Sequence, residues 1–285
     1  MFTKRFLKMP NVKNAPSPLL QKVSAYFDQF RDKKVLVAFS GGADSMLLLA
    51  LLKRATANPD QITAAYADAD WMSRQARNEA ESAAAQLGIT LRPLKMPSAK
   101  LCGITGNPKE RCYLCKKALF ERLGVLAAEI GADCIMEGSQ LDDLLCYRPG
   151  RKAIAESNAL SPLQTVGLHK EQVRLLLAEL GLSQAHKPSG SCLATRFAYG
   201  FTLSQAMLSR VEQGERYLAS FGFYNLRIRS DAHTARIEVD PEDFPKILAH
   251  RQEILQTLVK LGWHYVCLDL KGFRSGSMDE LTDSA

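Results

Sequence analysis

The chain has 285 residues, 46% hydrophobic residues and a formal net charge of +7. This composition allows two modest domains of an ordinary globular protein, and the charge suits either nucleic acid or a phosphorylated small molecule. No apolar run approaches the roughly 20 residues that span a bilayer, and the basic start of the chain lacks the apolar core of a cleaved signal, so we expect a cytoplasmic protein that does not bind membranes.

Helical and strand patterns alternate along the first half of the chain. Ser17 and Pro18 have the sequence of a helix start, and apolar residues recur at helical spacing up to Phe30. Strands are then predicted at 35–39, 62–67, 89–96 and 134–136, and helices at 46–52, 74–87 and 109–130. This alternation predicts an α/β fold with a parallel sheet between helices, whose ligands bind at the carboxyl ends of the strands.

The rest of the chain has a different order of elements. A helix at 170–180 and an irregular stretch at 183–200 precede a helix at 203–221, a hairpin of strands at 224–229 and 234–239, a helix at 241–261 and a strand at 264–270. This order predicts a small α+β domain. We expect a boundary near Gly200, domains at 17–200 and 201–274, and mobile tails at 1–16 and 275–285.

A polar glycine turn, Ser-Gly-Gly-Ala-Asp-Ser, joins the first strand to the next helix. Glycines let the main chain approach an anion closely, and the new helix points free N–H groups at it. The turn lacks the lysine of a Walker loop and the spacing of a Rossmann turn, and a flexible Gly-rich connection is the plain alternative. The turn resembles the PP-loop of the ATP pyrophosphatase superfamily. This resemblance implies ATP binding by Ser40, Gly41, Gly42, Asp44 and Ser45.

Asp142 and Asp143 follow the strand at 134–136 within one short turn. Carboxylates beside the end of a sheet strand are suited to hold the Mg²⁺ that accompanies ATP. Acids at the start of a helix also favour the helix dipole. Spacing alone does not separate these two interpretations.

The cysteines suggest chemistry at sulfur. Their number, seven, and their spacing do not match a secreted disulfide framework and favour reduced thiols or metal ligands. Cys112 and Cys115 lie on one face of a predicted helix, near its start and among basic residues, which predicts lowered thiol pKa values. Cys192 lies in a loop framed by Gly, Ser and Pro, as an accessible nucleophile would.

No histidine stands at zinc-ligand spacing from Cys112, Cys115 or Cys192, and three thiolates suit a [4Fe–4S] cluster with one open iron. Zinc, a redox pair and inert thiols remain alternatives.

The other cysteines carry weaker signals. Cys134 and Cys267 lie in predicted strands and are expected to be small buried residues. Cys102 lies in a loop and is a spare candidate ligand without supporting context. Cys146 lies on a helix.

Seven motifs, spread from about Ser17 to Met278, together resemble the LarE family of ATP-dependent sulfur transferases, which act in the synthesis of the nickel-pincer nucleotide cofactor. The motifs are SGGADS at 40–45, RCYLCKK at 111–117, EGSQLDD at 137–143, YRPG at 147–150, KPSGSCLATR at 187–196 with YG at 199–200, ARIEV at 235–239 and GFRSGS at 272–277. The PP-loop alone would indicate only the superfamily, whereas the set indicates the family.

The resemblance implies a reaction. ATP adenylylates a carboxylate of pyridinium-3,5-biscarboxylic acid mononucleotide, a thiolate displaces AMP, and cleavage of the Cβ–S bond leaves a thiocarboxylate. Cys192 matches the family's catalytic cysteine, whose sulfur is sacrificed in members that have no other. Members that also have the CxxC pair are thought to pass on a sulfide from a [4Fe–4S] cluster, which implies ligation by Cys112, Cys115 and Cys192. Homo-oligomers and contacts with other enzymes of nickel-pincer cofactor synthesis are also implied.

Arginines are candidates for binding the phosphate of this substrate. Arg227 and Arg229 alternate onto one face of a predicted strand, and Arg236 lies on its hairpin neighbour. The resemblance places the substrate phosphate near such arginines, and a solvated strand face is the plain alternative for each. Arg196 and Glu215 are weaker candidates.

Two other functions fit parts of the sequence. A PP-loop tRNA thiolase would explain the charge, but the sequence has no added RNA-binding domain and no stripe of aromatic and basic residues, so we do not expect a nucleic-acid partner. A non-catalytic iron–sulfur sensor built on an ATP-binding fold would release no pyrophosphate. For the sulfur transferase, we expect the glycine turn and the three sulfurs to be close enough for one bound molecule to reach both.

Overall fold

The computed structural model describes residues 15–145, 149–188 and 190–278. The α-helices are α1 (Pro18–Phe27), α2 (Ala43–Ala55), α3 (Arg74–Gln86), α4 (Arg111–Ile130), α5 (Gly150–Glu156), α6 (Pro162–Thr165), α7 (Lys170–Glu179), α8 (Gln205–Ala219), α9 (Phe244–Ala249) and α10 (Arg251–Lys260). The strands are β1 (Val35–Ala38), β2 (Ile62–Asp68), β3 (Leu91–Lys95), β4 (Cys134–Met136), β5 (Leu226–Ser230), β6 (Thr234–Val239) and β7 (Tyr265–Leu268). Among the described residues, no helix is long and apolar enough to cross a bilayer.

Four parallel strands form the first sheet, in the order β3-β2-β1-β4. On one face, Leu36 of β1 belongs to a buried cluster with Phe120 and Leu123 of α4. Side chains alternate along a strand, so Val35 and Val37 point to the opposite face, and both are also buried. The predicted α/β fold with a covered parallel sheet is therefore confirmed.

Contacts within the fold divide the chain into two compact units. The described part of the first unit comprises 15–68, 75–95, 119–145 and 149–188, and that of the second comprises 69–74, 96–118 and 190–278. The second unit thus includes the segment with Cys112 and Cys115, which the sequence assigned to the first domain. The predicted functional domains and their boundary near Gly200 stay predictions. Most of both predicted tails, at 1–14 and 279–285, lies outside the described residues.

The second unit contains a three-stranded sheet in the order β5-β6-β7. β5 and β6 form the predicted antiparallel hairpin, and β7 pairs parallel with β6. The single helix predicted at 241–261 is wrong, because a 3-10 turn, α9 and α10 replace it. The helix breaks at His250, whose backbone leaves helical angles (φ −100°, ψ 14°) while its ring lies 4.7 Å from that of Phe221.

Candidate functional site

The serines of the glycine turn between β1 and α2 hold it in shape. The Ser45 hydroxyl donates to the carbonyl of Gly42 at 3.2 Å and accepts from the amide of Ser40 at 3.3 Å. α2 begins at Ala43, and the first N–H groups of a helix have no partner within it. The turn therefore presents backbone and hydroxyl donors of the kind that hold phosphates.

Close packing requires glycine at two places around this turn. Gly41 has φ +70°, and a Cβ there would lie 2.7 Å from the Cα of Ala80. A Cβ on Gly138 would lie 2.9 Å from the amide nitrogen of Ser45. The turn after β4 therefore packs directly against the start of α2, which brings the segment 137–143 to the same edge of the sheet.

Two lysines that sequence reasoning missed contact the glycine turn. Lys170 Nζ, at the start of α7, donates to Asp44 Oδ2 at 2.6 Å, and Asp44 Oδ1 is buried without a hydrogen-bond partner among the described residues. Lys187 Nζ donates to the carbonyl of Gly41 at 3.2 Å and pairs with Glu79 at 2.7 Å. Ammonium groups here are suited to offset the charge of a bound phosphate. The KPSGSC motif could have pointed to Lys187, but no local pattern marks Lys170.

Both predicted magnesium ligands accept hydrogen bonds from the protein. Asp142 accepts from His169 Nδ1 at 2.6 Å and from the amide of Lys170 at 2.8 Å, and the bond with His169 is the main reason that the Asp142 pKa is lowered. Asp143 is buried and forms a capping box with Gln140 at the start of a 3-10 helix. Asp143 thus lies at a helix start, as the helix-dipole interpretation requires. The magnesium role of both residues stays a prediction.

In the second unit, Asn107 joins the segment of Cys112 to the loop of Cys192. Asn107 is fully buried, and its φ of +46° is in the left-handed region that asparagine tolerates better than most residues. Its side-chain amide donates to three carbonyls on the far segment, those of Ala194 (3.3 Å), Phe197 (3.0 Å) and Ala198 (2.8 Å). Two stretches that are distant in sequence are therefore fixed side by side.

Cys115 lies close enough to Cys192 and Cys112 for their charges to affect its pKa. Burial is the main cause that raises the pKa of Cys115 to about 12, and the charge of Cys192 is the next cause, with Cys112 and Cys102 adding to it. A hydrogen bond with the side chain of Trp71 acts in the opposite direction. The lowered pKa predicted for Cys115 is therefore wrong, because burial outweighs the helix start and the nearby bases.

The chemistry of these thiols suits an iron–sulfur cluster. Thiolates are soft ligands, and mutual repulsion between neighbouring thiolates is relieved by a bound metal. Cys112 is exposed, while Cys115 and Cys192 are half-buried, so the set is open to solvent. In the described ranges, no three Cys, His, Asp or Glu side chains stand together as metal ligands. The donors fit such a cluster in chemical type, and their binding of a cluster stays a prediction.

The remaining cysteines differ in their surroundings. Cys102 is buried, and its thiol lies 3.6 Å from the carbonyl of Pro97. Cys134 is half-buried, and burial raises its pKa. The expectation that Cys267 is buried is wrong, because Cys267 is exposed on β7, one of the two outer strands of its sheet. Cys146 lies outside the described residues.

Arg196 holds the loop of Cys192 in place. Its Nη1 atom donates to the carbonyl of Cys192 at 3.1 Å and to the hydroxyl of Ser191 at 2.6 Å. Its Nε and Nη2 atoms form a two-point ion pair with Glu215, with both distances 2.9 Å, and Glu215 also accepts from the amide of Ile228. Arg196 is only 4% exposed. Arg196 is thus bonded to the thiol loop, and Glu215 is bonded to β5 and to Arg196.

One face of the β5–β6 hairpin carries the predicted phosphate arginines. Arg229 lies opposite Arg236, and Arg227 lies opposite Glu238. Arg229 pairs with Glu238 at 2.9 Å and Arg236 pairs with Asp269 at 2.8 Å. Burial, followed by the charge of a neighbouring arginine, lowers the pKa of Arg227 to about 10. The structure brings the three arginines together, and their binding of a phosphate stays a prediction.

Arg111 directly precedes Cys112, and sequence reasoning counted it only among the basic residues around the thiols. Its side chain is buried, and its guanidinium lies 4.2 Å from the ring centre of Tyr199. Its Nε and Nη1 atoms have no hydrogen-bond partner among the described residues. A buried guanidinium without a carboxylate is costly, so Arg111 is suited to meet negative charge beside the thiols. In the sequence, the RCYLC motif was the signal that could have indicated this role of Arg111.

Comparisons with known proteins cover both units. A family model for the PP-loop domain matches residues 16–128. The chain is 34% identical to pyridinium-3,5-bisthiocarboxylic acid mononucleotide synthase of Lactiplantibacillus plantarum, over 89% of this chain and 91% of that protein. It is 32% identical to an uncharacterised protein of Synechocystis, over 92% and 97% of the two chains, and 31% identical to an uncharacterised protein of Methanocaldococcus jannaschii, over 87% and 94%. The roles of individual residues stay predictions.

Proposed function

The chain belongs to the LarE family of PP-loop proteins, and we propose that it is an ATP-dependent sulfur transferase that converts a carboxylate of pyridinium-3,5-biscarboxylic acid mononucleotide to a thiocarboxylate. The observation that supports the proposal is that Cys112, Cys115 and Cys192 lie in one unit. There burial, and then the charges of Cys192 and Cys112, raise the pKa of Cys115. An enzyme that only split ATP would not need this set of thiols.

The first proposed step uses the glycine turn. The substrate carboxylate attacks the α-phosphorus of ATP, a mixed anhydride with AMP forms, and pyrophosphate leaves with the bonding electron pair. Ser40, Ser45 and the first amides of α2 bind the pyrophosphate and stabilise its charge. Lys170 and Lys187 offset the negative charge of the phosphates, and Lys170 exchanges its contact with Asp44 for one with ATP. The candidate holders of Mg²⁺, which neutralises the phosphate charge when bound, are Asp44, Asp142 and Asp143.

The second proposed step uses the thiols. A sulfur nucleophile attacks the acyl carbon of the anhydride, and AMP leaves. If the nucleophile is Cys192 itself, loss of its Cα proton and cleavage of its Cβ–S bond give the thiocarboxylate and leave dehydroalanine. A [4Fe–4S] cluster bound by Cys112, Cys115 and Cys192 would supply an open iron for an added sulfide and spare the cysteine. We favour this cluster route because all three cysteines are present. Arg111 places positive charge beside them.

The substrate phosphate is assigned to the arginine face of the hairpin. Arg227 gains most from an anionic ligand, because burial disfavours its charged form. Arg229 and Arg236 lie on the same face, and they also form ion pairs with Glu238 and Asp269. We further expect the protein to be cytoplasmic, to form homo-oligomers and to work with other enzymes of nickel-pincer cofactor synthesis.

The function is tested by pyrophosphate release. Purified protein is incubated with ATP and Mg²⁺, and the pyridinium biscarboxylate mononucleotide or bulk tRNA is added in separate reactions. We expect release that depends on the pyridinium mononucleotide. Release that depends only on tRNA would support a tRNA thiolase. No release under either condition would support a non-catalytic sensor.

The source of sulfur is tested by anaerobic reconstitution with iron and sulfide. The protein should become brown with about four irons per chain, and Cys112→Ser should lose both the colour and multiple turnover. Cys267→Ser is the matched control and should keep both, because Cys267 is exposed on β7. Continued turnover of Cys112→Ser with added sulfide would contradict the cluster route. Loss of one sulfur at Cys192 after a single round would support the sacrificial route.

A further inference from the structure

Two histidines meet at a place that the proposed reaction does not use. His233 lies in the turn between β5 and β6, and His264 lies directly before β7. Both side chains are exposed, and their Nδ1 atoms are 3.4 Å apart, with the ring centres 5.4 Å apart and the ring planes 52° apart. Both belong to the second unit.

The main chain around this pair is fixed on both sides. The amides of His264 and Tyr265 both donate to the carbonyl of His233, at 2.9 and 3.1 Å. On the other side, the amides of His233 and Thr234 both donate to Asp231 Oδ1 at 2.7 Å. The two imidazoles therefore extend from backbones whose separation is set by hydrogen bonds, so bringing the two rings together requires little further ordering.

The distance between the two nitrogens matches a metal site better than a hydrogen bond. Hydrogen bonds from nitrogen are usually about 2.7–3.2 Å long, so 3.4 Å is long for a bond between the rings. Two imidazole nitrogens that each lie about 2.0–2.1 Å from a tetrahedral zinc ion are about 3.3–3.4 Å apart. Neighbouring ligands in an octahedral site with bonds of about 2.1 Å would be closer, at about 3.0 Å. The observed spacing thus favours a tetrahedral ion.

We propose that His233 and His264 form a binding site for one zinc ion, with Nδ1 of each ring as a ligand and water in the other positions. In the described ranges, no third His, Cys, Asp or Glu completes the ligand set, so the site is open to solvent. The bound ion would join the β5–β6 turn to the start of β7. This inference does not depend on the proposed sulfur transfer.

The test is the zinc stoichiometry of the full-length protein. Wild type, His264→Gln, His233→Gln and the control His186→Gln are equilibrated with zinc chloride, freed of unbound metal by gel filtration and analysed for zinc. His186 is exposed and lies in the other unit. The cysteines are present in all four proteins, so any zinc that they bind contributes equally to each measured stoichiometry. We expect both pair variants to hold one zinc per chain fewer than wild type and the control to match it.

A second readout uses thermal unfolding. Zinc that binds only to the folded state raises the melting temperature, and the rise grows with the logarithm of the free zinc concentration once this concentration exceeds the Kd. Added zinc should raise the melting temperature of wild type and His186→Gln by more than that of either pair variant. Equal stoichiometry and equal zinc-dependent shifts in all four proteins would overturn the proposal.

Discussion

The side-chain amide of Asn107 lies 2.8 Å from the carbonyl of Ala198 and donates a hydrogen bond to it. This bond and its two neighbours join the segment before α4 to the loop of Cys192. A buried neutral amide, rather than a covalent link, thus joins the two segments that carry the candidate thiols. The carbonyls of Ala194 and Ala198 also accept from the amides of Phe197 and Phe201, at 3.3 and 3.2 Å.

Asn107→Asp should destabilise the second unit. A carboxylate cannot donate to the three carbonyls, and we expect a loss of about 3 kcal/mol in the free energy of unfolding. Both tryptophans, Trp71 and Trp263, belong to this unit, so urea unfolding followed by tryptophan fluorescence reports on it. The control is Asn158→Asp, because Asn158 also has a positive φ but is exposed. Similar midpoints for both variants would argue against the role assigned to Asn107.

Glu215→Gln tests whether the ion pair of Arg196 supports the fold. The variant leaves a buried guanidinium without its counter-charge, which should cost about 3 kcal/mol in the free energy of unfolding. Asp28→Asn breaks the exposed pair with Arg31 and should change this free energy by less than about 1 kcal/mol. Should Glu215→Gln keep wild-type stability but bind the substrate poorly, Glu215 would be a binding residue instead.

Gly41→Ala should abolish most ATP use. A Cβ would lie 2.7 Å from the backbone of Ala80, so the turn must shift, and a displacement of about 1 Å at a phosphate site costs on the order of 100-fold in rate. Gly131→Ala has the same left-handed backbone requirement but no atoms within 4 Å of the added Cβ. Pyrophosphate release measures both. Equal rates for the two variants would show that the close approach at Gly41 is unimportant.

Lys170→Gln should slow pyrophosphate release by about 100-fold, a loss typical of removing one donor that stabilises transition-state charge. The ammonium group of Lys170 lies at the turn, where it contacts Asp44 at 2.6 Å. Lys22→Gln removes the same charge from an exposed position on α1 and is the control. If both variants released pyrophosphate at the wild-type rate, Lys170 would be a partner of Asp44 only.

Local patterns were sufficient to predict the fold and the glycine turn. The buried strand β1 and the apolar helix α2 have strong periodicity, and the turn between them must satisfy a backbone requirement that only glycine meets at Gly41. Such constraints act between neighbours in sequence. The helix break at His250 was missed because the helical pattern continues across it.

Long-range contacts could not be read from the sequence. Lys170 is 126 residues from Asp44, and Asn107 is 91 residues from Ala198. The raised pKa of Cys115 likewise depends on burial and on Cys192. In each case the chemistry of a side chain is set by a segment far away in the chain. Sequence motifs indicated candidate segments but not their partners.

The most direct test of the account is to measure pyrophosphate and thiocarboxylate together in Cys192→Ser. The variant should release pyrophosphate near the wild-type rate, because adenylylation belongs to the glycine turn, and it should form no thiocarboxylate by mass spectrometry. Cys267→Ser should form both products. Thiocarboxylate formation by Cys192→Ser at the wild-type level would contradict the central claim that sulfur transfer requires Cys192.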